Sequence, residues 1–188
     1  GLVCTDGTRA GTTALDVNPS GSANPIILGQ ANGLLYFTAT TSDYSTPLQG
    51  IYSTNGTTFT RLADINSSAS LLGWNASKAF FNVSDATNGA ELWAADLTNG
   101  SFALVKDILP GSGSALSQSY TTNASMVGGK LVFNAYTSAT QQKLFVSDGT
   151  DAGTVQLSSS LPNMTKVVGG TMVFANSDGI YGVAVGAA

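Results

Sequence analysis

Short apolar runs alternate along this chain with clusters of Gly, Asn, Asp, Ser and Thr, and apolar positions do not recur at the spacing an amphipathic helix requires. The pattern predicts strands throughout. Four of the runs, LLYFTA, AFFNV, LVFNA and MVFAN, place Phe37, Phe81, Phe133 and Phe174 at intervals of 44, 52 and 41 residues. A period in that range is the length of a four-stranded propeller blade.

Each repeat reads as strands a, b, c and d, with the phenylalanine on b. The first unit is expected over Pro25–Leu28, Leu34–Ala39, Gly50–Ser53 and Phe59–Ile65. The second is expected over Ser70–Trp74, Lys78–Val83, Glu91–Ala95 and Phe102–Ile108. Ser125–Val127, Lys130–Tyr136, Lys143–Val146 and Thr154–Leu157 form the third, and Thr165–Val168, Thr171–Asn176 and Ile180–Val185 begin a fourth. The N-terminal strands Leu2–Thr5 and Thr13–Val17 read as c and d. The expected fold is therefore all-β and propeller-like: one domain over 1–188, with units near 25–65, 70–108, 125–157 and 165–185, and 1–17 supplying closing or exchanged strands.

Turn chemistry carries the same period. Asn32-Gly33, Gly128-Gly129 and Gly169-Gly170 suit tight a–b hairpins. Between c and d, Asp6-Gly7-Thr8-Arg9-Ala10-Gly11-Thr12 matches Asp148-Gly149-Thr150-Asp151-Ala152-Gly153-Thr154 at every position except Arg9 against Asp151. Asp bonds its own backbone two residues on, and Gly takes positive φ without steric cost. Degraded copies centre on Asn55-Gly56-Thr57 and Asp96-Leu97-Thr98, so the four markers at 6, 55, 96 and 148 are spaced by 49, 41 and 52 residues. Gly153 implies a turn wider than two residues. The b–c stretches Thr40–Leu48 and Ser84–Gly89 read as the longest and most variable loops, and so as the face for a ligand. The four phenylalanines, Trp93 and Phe145 read as packing, and Trp74 as core in preference to a sugar-stacking platform.

Glu91-Leu92-Trp93 followed by Asp96, together with Asp148-Gly149-Thr150 and Gly153-Thr154, resembles the ELWxxDGTxxGT repeat family. The resemblance implies a secreted or surface-attached, mostly bacterial-type β-propeller. It implies no catalytic residues, because the family motif is a turn signature.

Composition narrows the function. The chain has 188 residues, 43% of them apolar, 10% charged, with a net charge of −4 and no histidine. Scattered Lys and Arg do not make a nucleic-acid surface. No apolar run reaches the about 18 residues of a membrane-spanning helix, and with no charged and apolar leader at its start the chain reads as mature or excised. Without histidine there is no Ser-His-Asp or Cys-His activation, and Arg9 and Arg61 fall short of the arginine triad a sialidase needs. Asp16, Asp64 and Asp107 end equivalent strands, which reads as turn chemistry in preference to a carboxylate pair for glycoside hydrolysis. Calcium is the one ion the turns suit, through Asp6-Gly7-Thr8 or Asp148-Gly149-Thr150-Asp151, against the simpler reading that each Asp bonds its own turn; no cofactor is otherwise expected. Lone Cys4 reads as a buried thiol or an intermolecular bridge.

Seven Asn-x-Ser/Thr sequons, at Asn55, Asn66, Asn75, Asn82, Asn99, Asn123 and Asn163, are candidate glycosylation sites or turn asparagines. The strand count does not divide by four, which leaves a surplus terminal strand, to be exchanged with a neighbour, taken into a five-stranded closing blade, or explained by truncation of a larger propeller. Leu2, Val3 and Cys4 at one end and Ile180, Tyr181, Val183 and Val185 at the other are the candidates for pairing with a neighbouring subunit. The expected function is a non-enzymatic, extracellular or cell-surface structural subunit that polymerises by strand exchange. The alternative is an extracellular propeller module that binds a surface glycan or another ligand.

Overall fold

The computed structural model describes all residues except 20, 44–45, 66–67, 117–123, 162–163, 169–170, 177–178 and 185–188. Among the described residues there are seventeen strands and no helix. β1 (Leu2–Cys4) and β2 (Thr13–Leu15) pair as a two-stranded sheet. β3 (Ile26–Ala31), β4 (Leu34–Asp43), β5 (Thr46–Thr54) and β6 (Phe59–Ile65) form a four-stranded antiparallel meander. β7 (Ala69–Trp74), β8 (Lys78–Asp85), β9 (Gly89–Asp96) and β10 (Phe102–Lys106) form a second four-stranded sheet in chain order. β11 (Ser125–Val127), β12 (Lys130–Ser138), β13 (Gln141–Ser147) and β14 (Val155–Ser158) form a third, and β15 (Met164–Val168), β16 (Thr171–Asn176) and β17 (Gly179–Ala184) a three-stranded sheet.

The a–b turns explain the register. Ala31 pairs with Leu34 across Asn32 and Gly33, at φ 48° and 76°. Val127 pairs with Lys130 across Gly128 and Gly129, at φ 54° and 75°. Two successive positive-φ residues make the two-residue turn whose twist matches that of paired strands. Gly169-Gly170 lies outside the described residues, between paired Val168 and Thr171.

The b–c connections are shorter than their composition suggests. Thr40–Leu48 is mostly strand: β4 and β5 stay paired as far as Asp43 opposite Thr46. Its threonines, which gave the stretch a polar, loop-like composition, are β-branched strand formers. The other b–c connections, 86–88 and 139–140, are also short. The two longest connections, 16–25 and 107–124, each follow a d strand.

The chain falls into two compact units, Gly1–Ala69 with Ser84–Ala86, and Ser70–Val83 with Thr87–Ala188. In the first, Leu2 packs against a buried group of Val17, Ala23, Phe37, Ala39 and Tyr52. In the second, sheets stack face to face in chain order. Phe80, Leu92, Ala94 and Val105 of one sheet meet Leu131, Phe133, Ala135 and Phe145 of the next. Because side chains alternate along a strand, the opposite face of that second sheet offers Val127, Val132, Leu144 and Val146, which pack on Met172 and Phe174.

Phe37, Phe81, Phe133 and Phe174 are all buried. Three of them stack on an aromatic directly opposite on strand c: Phe37 on Tyr52, Phe133 on Phe145 and Phe174 on Tyr181, with ring centroids 5.4, 5.8 and 5.5 Å apart. In the β7–β10 sheet Phe102 takes both partners, stacking on Trp93 and meeting Phe81 edge-on. Trp74 departs from its expected place in the core. It ends β7 and is 49% exposed.

Candidate functional site: repeated turns and a buried glutamate

The two complete c–d turns share one set of hydrogen bonds. In the β1–β2 turn, Asp6 Oδ1 accepts the Thr8 N–H (2.8 Å) and hydroxyl (2.7 Å). Thr5 Oγ1 accepts the Gly7 N–H, Thr8 Oγ1 accepts the Gly11 N–H, and the Thr12 hydroxyl donates to the Thr8 carbonyl. In the β13–β14 turn, Asp148, Ser147, Thr150, Gly149, Gly153 and Thr154 repeat every one of these bonds, with Asp148 Oδ1 accepting from Thr150 at 2.9 and 2.7 Å. The hydroxyl pairs Thr5–Thr12 and Ser147–Thr154 close both turns at 2.8 Å.

Each glycine of the motif has its own reason. Gly7 and Gly149 sit at φ 92° and 87°, where an L side chain is strained. Gly11 and Gly153 are required by space: a Cβ on either would lie 2.1 Å from the carboxylate of Asp6 or Asp148. Gly153→Ala should therefore unseat Asp148 and lower the unfolding free energy by about 1–2 kcal/mol in a urea titration. An unchanged midpoint would contradict this seating of the carboxylate.

The degraded copies keep the core of the device. Asn55 Oδ1 accepts the N–H groups of Thr57 and Thr58, both at 3.0 Å, and Gly56 takes φ 93°. Asp96 Oδ1 accepts the Thr98 N–H at 2.9 Å, while its Oδ2 takes the Lys78 ammonium at 2.8 Å. The hydroxyl of Thr8 holds the Asp6 carboxyl below the usual carboxylate range, Thr150 does the same for Asp148, and Lys78 holds Asp96 lower still. Charge on these aspartates is thus used locally, to fasten three hairpins, and the neutral amide of Asn55 fastens the fourth.

Glu91, the single glutamate, is fully buried. It sits on β9 and reaches into the long connection after β10, where its carboxylate accepts the N–H groups of Ile108 (3.0 Å), Leu109 (3.2 Å) and Ala115 (3.2 Å). The same connection is fixed beside it by Ala90, whose N–H donates to Ser114 Oγ and whose carbonyl accepts from Leu116. Gly89 permits this approach: at φ 69°, a Cβ there would stand 2.1 Å from the Gly113 carbonyl oxygen. Burial pushes the Glu91 carboxyl up to about 7, against the pull of its three donors, with the Asp107 charge adding to the rise. In the following sheet Lys143 precedes the Leu-aromatic pair as Glu91 does, and its ammonium donates to the Ser159 carbonyl just after β14. A carboxyl and an ammonium at one repeat position thus tie down opposite backbone groups.

The remaining candidates are dispersed. Asp16 Oδ1 caps its own turn at Asn18, Asp64 pairs with Arg61, and Asp107 has a buried oxygen with no partner among the described residues. No grouping of three or more His, Cys, Asp and Glu side chains suited to a metal occurs among the described residues. No helix among them is long and apolar enough to cross a membrane.

Asn55 and Asn99 are exposed, Asn75 is half-buried and Asn82 is buried, while Asn66, Asn123 and Asn163 lie outside the described residues. Leu2, Val3 and Cys4 make up β1, with Cys4 a free, half-buried thiol. Ile180 and Tyr181 stand on β17 at 80% and 41% exposure, Val183 continues that strand, and Val185 is outside the described residues. β17 pairs with β16 along one edge and β1 pairs with β2 along one edge, and neither carries a further strand among the described residues. No protein-family model matches the chain, and a search of curated proteins returns no relative.

Proposed function

We propose that this chain is a non-enzymatic structural subunit of the extracellular space or cell surface, a propeller-like array of four-stranded blades that assembles with its own copies by adding strands at open sheet edges. One observation carries the reading. Three sheets are complete meanders of four strands, and they are flanked by sheets of two and three strands, the first equivalent to c and d, the second to a, b and c. One edge of β17, the strand of Ile180, carries no partner strand among the described residues, and its sequence Gly179-Ile180-Tyr181-Gly182-Val183-Ala184 contains neither charge nor proline to discourage pairing. Main-chain hydrogen bonds along such an edge supply affinity for an incoming strand, and a head-to-tail contact that does not close gives a fibre. The four seated turns and the Glu91 anchor support a mechanical role, since they spend polar side chains on holding hairpins.

The half-exposed Trp74 favours a second reading, a glycan-binding module, because an aromatic face in water is a stacking surface for sugars. Light scattering behind size exclusion separates the two. The intact chain should gain mass with concentration, whereas a chain lacking residues 180–188 should stay a folded monomer, as should Ile180→Lys. Assembly that survives removal both of 180–188 and of 1–5 would refute strand exchange.

A further inference from the structure

The geometry points to Asn55 and Asn99 as the N-glycan acceptors among the four described sequons, with Asn75 and Asn82 excluded by their contacts and burial. Asn55 lies in the β5–β6 turn and Asn99 in the β9–β10 turn, each exposed. In both, the amide is divided in the same way. Oδ1 is committed to the turn: that of Asn55 accepts from Thr57 and Thr58, and that of Asn99 accepts the Ser101 N–H at 2.9 Å. Nδ2 donates to nothing among the described residues, so a sugar can be added there without loss of a turn bond. The residue two places on, Thr57 or Ser101, is the hydroxyl residue that the acceptor pattern demands.

Asn75 has the opposite arrangement. Its Nδ2 donates to the Gly129 carbonyl at 2.6 Å, tying the β7–β8 turn to the β11–β12 turn, while its Oδ1 accepts from Ser77 and Lys78. Glycosylation would cost that tie. Asn82 is 1% exposed on β8, and neither of its amide atoms has a partner among the described residues. No sugar fits there in the folded sheet.

The reaction joins Nδ2 to the anomeric carbon of a sugar carried on a polyprenyl pyrophosphate. The anomeric carbon–oxygen bond to the pyrophosphate breaks, the pyrophosphate leaves, and the amide nitrogen gives up one proton to a base of the transferase. This inference rests on the extracellular reading above, because the transfer takes place on secreted chains. Its readout is glycan mass, which is independent of the assembly mass that tests that reading.

The test is secretion of the full chain from a eukaryotic host, followed by enzymatic deglycosylation in heavy-oxygen water and peptide mapping of the folded, soluble product. Asn55 and Asn99 should carry glycan, and Asn75 and Asn82 should not. Asn55→Asp and Asn99→Asp should each remove one glycan and leave folding unchanged, because Asp6 and Asp148 build the same kind of turn through Oδ1. Bare amide at either Asn55 or Asn99, or glycan on Asn75 or Asn82, would overturn the assignment.

Discussion

Glu91→Ala should lower the unfolding free energy by about 3–5 kcal/mol, as much as emptying an aromatic site in the core. The substitution leaves the N–H groups of Ile108, Leu109 and Ala115 without their acceptor, the Ala115 N–H in a buried site and the other two in half-buried ones. A buried donor left unpaired costs about 1–3 kcal/mol, and the space vacated by the side chain adds to the loss. The connection after β10 then loses its hold on β9, so packing around Ala115 and Leu116, both part of the shared core, weakens with it. Glu91→Gln keeps a carbonyl oxygen for two of the three donors and should lose less. Lys143→Ala, which frees only the Ser159 carbonyl at a partly exposed site, should cost about 1 kcal/mol or less. Equal losses from Glu91→Ala and Lys143→Ala in urea titrations would contradict this account of the anchor.

The same carboxyl should set the pH dependence of stability. Folding raises it from its ordinary 4.5 to about 7. Between those values the folded chain keeps a proton that the unfolded chain has released, so stability falls as pH rises through the window. The full interval corresponds to about 3 kcal/mol. Asp6, Asp96 and Asp148 act in the other direction: held below their ordinary 3.8, they stabilise the folded chain above that value and lose their contribution as pH falls past it. Unfolding free energy should therefore peak at about pH 4.5 and decline towards pH 7. Urea titrations from pH 4 to 8 check this, and Glu91→Gln should remove the decline. Stability that rises across the same window would contradict the raised carboxyl.

The elements legible in the sequence were those governed by neighbours in the chain. Asp148-Gly149-Thr150 and Gly153-Thr154 specify their turn because every bond in it spans only a few residues, and the b-strand phenylalanines mark their sheets because packing repeats with the unit. Strand ends were less legible. Thr40 and Thr41 are polar by composition and strand-forming by shape, so a continuous hairpin reads as a loop.

Glu91 was missed as an anchor because its partners lie 17 to 24 residues away in the chain, in an irregular stretch with no period to reveal them. A signal was present in Ala90-Glu91-Leu92-Trp93-Ala94, where a charged residue interrupts a buried strand and must find donors nearby. The sequons show the same limit. Asn55 and Asn82 match one pattern, and only burial and hydrogen bonding separate an exposed turn from a strand interior.

The proposed strand addition is tested most directly by hydrogen exchange along β17 in the intact chain at rising protein concentration. In an antiparallel edge strand alternate amides point away from the partner strand, here away from β16, and exchange with water unless another strand covers them. The account predicts that these outward amides of Gly179–Ala184 become protected as concentration rises, together with the open edge of Leu2–Cys4. Outward amides of β17 that exchange freely at every concentration would contradict it.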